Sequence, residues 1–441
     1  MKVALTCRWG LVAVLGVTLP ASAHAATAQI IGARDTGADV AVDARGRAFL
    51  VSLSTQQQPG PLASVRVRSA APGARFAPAR TLMRSRRTDR AVDAGVAADG
   101  SGVIVVQSTR GAHRRVRVVA FDARGRIGSP AAVSPRRADA DFAGSAVARS
   151  GAAVVVWFRH REDRRWRLEA SVRAPGARAF GAPEPLSAFV RRACCTSVSV
   201  AIGDRGDAVA TWTSTARGSV WAALRTRGHD FRRPRRLAPE ASDIPRAVVG
   251  AGGAAAVLYS VQHVPARASD GLQLRRALPA GELCAAEHVD PFGGVTIGEA
   301  AVTATGRVVV AWIDRADAVH GATVHVAEAG PGEPLVATAQ LGTKATADGL
   351  AVAADDDGRA VVAWSELVAT APAYRERAVA AERPSREAPF AAPVALGPRS
   401  RATEPALARL VPGGGALVVW KASRFGGSAE RRVTLAVTRL P

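Results

Sequence analysis

The sequence predicts an all-β fold, a single β-propeller of eight four-stranded blades, and three observations predict it. One pattern, an apolar strand, an Asp/Gly turn and a second strand apolar on both faces, recurs eight times along the 441 residues. The turn glycines Gly46, Gly102, Gly151, Gly206, Gly253, Gly306, Gly358 and Gly415 stand about 53 residues apart on average. That period suits a four-stranded unit, whereas sandwich domains need nearly twice as much and leucine-rich coils about half. A Phe-x-x-Pro-x-x-Leu motif closes several units and reads as an edge strand, because proline cannot donate to a ladder. The count is eight, or seven if the copy around Gly253 is not a repeat.

Within a unit each strand has its own reason. The first alternates small and branched residues and ends in a turn where glycine supplies positive φ, as in residues 301–314 (AVTATGRVVVAWID) and 199–214 (SVAIGDRGDAVATWTS). The second, such as VVVAW, is apolar on both sides and must be covered on both sides. The third follows a variable loop, at residues 116–121, 168–173, 219–225, 322–328 and 433–439. The fourth carries the motif at Phe180/Pro183/Leu186, Phe231/Pro234/Leu237 and Phe390/Pro393/Leu396. The last copy ends after its third strand, and residues 28–33 (AQIIGA) precede the first copy at the place of a fourth strand. Pairing the two would close the ring and remove an exposed edge.

These repeats resemble the uncharacterised secreted bacterial β-propeller repeat proteins whose units read A-x-D-x-x-G-x-A-V-V-A-W. The resemblance covers nearly all of residues 26–441 and implies the fold without implying an activity. Residues 1–25 read as a secretory signal: two basic residues, the apolar WGLVAVLGVTLP and the small-residue site ASAHA, with cleavage after Ala25 or, as second choice, Ala23. No later segment has the length of a membrane span. The expectation is a secreted or envelope-exterior monomer. Cys194, Cys195 and Cys284 then remain in an oxidising compartment, as a bridge from Cys284 to either neighbour plus a buried thiol, or as a strained Cys194–Cys195 bond.

Charge points to a partner. Lysine plus arginine number 59 against 37 acids, a formal +22, and only Lys2, Lys344 and Lys421 are lysine. Residues 26–240 carry +20 while residues 241–441 sum to zero. Loops after the second and fourth strands share one face of a propeller, and they hold Arg84, Arg86, Arg87, Arg90, Arg114, Arg115, Arg136, Arg137, Arg161, Arg164, Arg165, Arg191 and Arg192. Guanidinium forks match phosphate, sulfate and carboxylate, so these loops are candidates to bind an anionic polymer or acidic protein surface.

Other conspicuous residues read as structural. Trp157, Trp212, Tyr259, Trp312, Trp364 and Trp420 close the second strand in six copies, where packing between blades requires bulk, although a sugar-stacking ring would use the same position. Trp166 breaks that register and is expected to be partly exposed. Asp43, Asp99, Asp204 and Asp355 to Asp357 fall in turns and lack the alternation of a calcium loop. The histidines lack zinc spacing, and no nucleophile elbow, zincin or phosphate-loop motif is present. The reading is a binding scaffold without a cofactor or catalytic residue. The alternatives are a hydrolase or lyase acting at the central channel, and a neutral protein-interaction module.

Overall fold

A computed structural model describes residues 27–33, 35–56, 62–86, 88–110, 113–136, 139–163, 165–190, 195–214, 218–239, 245–261, 270–290, 295–314, 322–369, 375–400, 402–425 and 431–440. The expected signal segment 1–25 lies outside them. Every regular element among them is a β-strand, and no helix is long and apolar enough to cross a membrane.

The first sheet is β2 (Asp35–Val42), β3 (Ala48–Gln56), β4 (Leu62–Ala70) and β5 (Arg80–Arg84), preceded in the chain by β1 (Thr27–Ala33). The second is β6 (Asp89–Val96), β7 (Gly102–Arg110), β8 (His113–Phe121) and β9 (Ala131–Ala132). The third is β10 (Asp139–Val147), β11 (Ala153–His160), β12 (Trp166–Arg173) and β13 (Glu184–Pro185). The fourth is β14 (Cys195–Ile202), β15 (Ala208–Ser214), β16 (Val220–Arg225) and β17 (Arg235–Ala238). The fifth is β18 (Arg246–Val249), β19 (Ala255–Val261), β20 (Gly271–Ala277) and β21 (Glu287–His288). A seven-stranded sheet follows: β22 (Val295–Val302), β23 (Val308–Asp314), β24 (Ala322–Ala329), β25 (Val336–Ala354), β26 (Ala360–Ala369), β27 (Arg375–Arg383) and β28 (Val394–Ala395). The last sheet is β29 (Ala402–Leu410), β30 (Ala416–Phe425), β31 (Arg431–Arg439) and β1.

This is a β-propeller arrangement of antiparallel sheets. The separate four-stranded sheets are six among the described residues, counting the last with β1, not the expected eight. The difference arises in β25, whose 19 residues pair with β24 from Val336 to Ala345 and with β26 from Ala345 to Ala354. That stretch contains no proline, so nothing interrupts its donors and the ladder runs on. Where the Pro motif is present the outer strand is short, two residues in β13 and β28 and four in β17. The motif's leucine plugs the sheet, Leu186 and Leu396 being fully buried.

β1 pairs antiparallel with β31 from Thr27↔Arg439 to Ala33↔Thr434. Val40, Val42 and Leu50 of the first sheet pack on Val411, Leu417, Val419 and Leu435 of the last. The core is divided among such inter-sheet clusters. Trp157 and Trp364 are sealed in two of them, and Trp212, Tyr259, Trp312 and Trp420 are buried in others, so none of these six rings is open to a sugar. Trp166 is half-buried.

The tight turns hold one refinement. In the second copy the residue at positive φ is Gly100 (82°), while Gly102 opens β7. Turn aspartates bond backbone: Asp43 accepts from the N–H groups of Arg45 and Arg47 at 2.9 and 2.8 Å, and Asp99 from that of Ser101 at 2.8 Å. Asp356 instead reaches the neighbouring turn and accepts from the Thr305 N–H at 2.8 Å.

Candidate functional site

Antiparallel order sends the connections after second and fourth strands to one end of the molecule, here the loop end, and those after first and third strands to the other, the turn end. The sequence-selected arginines therefore share the loop end. Arg84, Arg86, Arg90 and Arg136 are exposed there, and none has a carboxylate within ion-pair distance among the described residues. The others described are engaged. Arg114 pairs with Asp141 at 2.8 Å, and Arg165 with Asp163 at 2.6 Å. Arg161 lies 4.0 Å from the Phe189 ring centroid, and Arg115 is half-buried. Arg87, Arg137, Arg164, Arg191, Arg192 and Cys194 lie outside the described residues, as does the side chain of Cys195. Cys284 is exposed.

Two features of this end were not legible beforehand. Phe189 anchors a fan of guanidiniums, with Arg167 at 4.6 Å and Arg159 at 6.0 Å besides Arg161. Behind them Glu169 is fully buried and accepts from Arg159 at 3.1 Å, Arg167 Nε at 2.6 Å and Trp157 Nε1 at 3.1 Å. A buried carboxylate so surrounded is a structural clamp. Nearby, His160 sits 2.9 Å from Asp141, and burial holds its pKa down even though that carboxylate opposes the shift.

The arginine excess is not confined to the loop end. Arg45, Arg75, Arg124, Arg149, Arg178 and Arg233 are exposed in connections at the turn end. The concentration on one face expected from the loops is corrected accordingly: the first four sheets are basic at both ends.

A central channel of 730 Å³ opens toward the turn end. Its wall takes residues from β2, β6, β10, β14, β18, β22, β25 and β29, each the innermost strand of its unit. Polar side chains stitch neighbouring inner strands together. Asp39 accepts from the Val96 N–H at 3.1 Å and lies 3.6 Å from Arg409. Asp93 accepts from Ser145 Oγ at 2.5 Å, and Arg246 Nε donates to Glu299 at 2.7 Å. Burial raises both aspartates, with Arg409 resisting the shift at Asp39. Asp93 is pushed up to about 6, the Asp39 charge adding to the effect of burial.

No protein-family model matches the chain, and no curated protein sequence does. Among solved structures it is similar to a prolyl endopeptidase, with TM-score 0.48 and 15% identity over 89% of this chain and 54% of that one. An ulvan lyase of a polysaccharide lyase family gives TM-score 0.42 and 10% identity, over 77% of this chain and 90% of the other. The acylaminoacyl peptidase of Pyrococcus horikoshii gives 0.46 and 10%, over 89% and 58%. The chain thus spans about half the length of the peptidase chains, and no residue role carries over at these identities.

Proposed function

We propose that the chain is an exported, monomeric scaffold that binds an anionic polymer through the loop end of its first sheets, without a catalytic step or cofactor. The observation that carries this is the set Arg84, Arg86, Arg90 and Arg136, exposed and without carboxylate partners in a half of the chain that sums to +20. Guanidiniums left unpaired on a strongly positive region attract polyanions and hold them by counter-ion release. The ring is read as closed and eight-fold. Eight inner strands around one channel, the shared strand β25, the β1–β31 ladder and the packing of first sheet on last support that count. Export follows from the N-terminal stretch and from the likeness to secreted repeat proteins.

The test is retention on heparin and on phosphocellulose, followed by a salt titration of binding to duplex DNA. Elution below physiological salt would end the proposal. Replacing the four arginines by alanine should lower the log–log salt slope by about 3.6.

The channel supports a second reading, a hydrolase or lyase. The observation favouring it is Asp39 on the channel wall, raised by burial and 3.6 Å from Arg409, with the raised Asp93 near enough to feel its charge, since shifted carboxylates gather at catalytic centres. Turnover of an acidic polysaccharide that disappears in Asp93→Asn, with heparin retention unchanged, would establish it in place of the scaffold.

A further inference from the structure

A second cavity, of 890 Å³, opens between β24, β25 and the β27–β28 connection, in the half of the chain with no net charge. Its floor is ionic. Glu328 pairs with Arg307 at 2.7 Å and with Arg383 at 2.5 Å, and all three side chains are less than a tenth exposed. Two guanidiniums share one carboxylate on the floor, and the Arg307 charge is also felt by Asp356. Arg307 Nε and Arg383 Nη2 find no hydrogen-bond partner among the described residues. The walls are apolar: Val336 is 57% exposed, with Leu341 and Phe390 beside it. At the rim Arg386 and Glu333 face each other at 3.6 Å, both solvated, and Glu387 is exposed at the mouth.

The fold alone does not require these unpartnered donors. In the third sheet Arg173 occupies the place of Arg383, at the end of the third strand, over the ring of Phe180 as Arg383 lies over Phe390. Arg173 spends both Nε and Nη2 on the Gly151 carbonyl, at 3.1 and 2.7 Å. Arg383 gives the equivalent Gly358 carbonyl Nε alone, at 3.2 Å. The same latch is thus built once with its donors used and once with a donor left over beside a cavity.

A buried guanidinium N–H without an acceptor is costly, and an arginine fork fits a carboxylate. We propose that this cavity binds an amphipathic monoanion, a carboxylate on an apolar chain or ring, its head at Arg307 and Arg383 and its body against Val336, Leu341 and Phe390. Pockets with apolar walls and a few converging polar groups are the usual form of small-molecule sites. This inference is independent of the polyanion reading, which concerns the other half of the chain.

Calorimetric titration of the full chain with octanoate tests it. Saturable one-to-one binding is expected, with octanamide, its uncharged counterpart, and acetate, which lacks the chain, each weaker by about tenfold or more. Val336→Trp fills the cavity from an exposed position and should abolish octanoate binding while the melting temperature of the free protein holds. Glu328→Gln removes the competing carboxylate and should tighten octanoate by about fivefold or more while lowering the free protein's melting temperature. No saturable heat with octanoate, equal binding of octanamide, or undiminished binding by Val336→Trp would overturn the proposal.

Discussion

The two halves of the chain are built on one repeat and treat arginine differently. In residues 241–441 several arginines are held by carboxylates, Arg246 by Glu299, Arg276 by Glu287 and Arg377 by Glu366 at 2.6 to 2.7 Å and Arg359 by Asp355 and Glu382, and the first half holds Arg47, Arg114 and Arg126 in the same way but carries more arginines than acids. In the first half Arg84, Arg86, Arg90 and Arg136 stand exposed without such partners among the described residues. The difference teaches that the fold uses a limited number of guanidiniums as latches and clamps and is complete without the rest. The surplus in the first half is therefore a property of the surface.

If both halves share the same core, equivalent core deletions should cost the same. Trp157→Ala and Trp364→Ala, both fully buried, should each lose about 3–5 kcal/mol in denaturant unfolding, and a much smaller loss in one half would break the equivalence. Ionic clamps come next. Glu169→Ala leaves two arginines facing a buried void and should cost about 3 kcal/mol, whereas Arg136→Ala should stay within about 0.5 kcal/mol.

Asp93 gives a pH-dependent comparison. Its folded pKa of about 6 lies above the unfolded value of 3.8, so between these values the folded chain binds more protons and stability falls as pH rises. The contribution is full below the unfolded value and gone above about 6. Asp93→Asn should flatten the stability curve across that window and gain up to about 2–3 kcal/mol at pH 7, read by chemical denaturation at a series of pH values. An unchanged pH profile would mean that Asp93 is not the group responsible. The smallest stability effect belongs to the four-arginine variant, whose melting temperature should match the parent while its salt-dependent binding falls.

Much of this was written in the sequence. A second strand apolar on both faces has to be buried on both, and its closing Trp or Tyr has nowhere to go but between sheets, so the core residues were readable from period and position. What escaped depended on register across units. Asp39 and Asp93 look like any strand aspartate until inner strands are set side by side, and the bulges at Asp35/Gly37 and Ala91/Asp93 shift which residues meet. Gly100 was missed for Gly102 because both lie in one glycine-rich turn and only φ separates them. The unbroken β25 was missed because a repeat template supplies a boundary where the chain lacks a breaker.

The ladder between β1 and β31 joins residues about four hundred positions apart, and closing so long a loop carries the largest chain-entropy penalty of any contact in the molecule. Local hairpins within each unit can form early, but this seam has no local route and must wait for the whole chain to be in place. It is expected to form last, and to be where the assembled sheets first part.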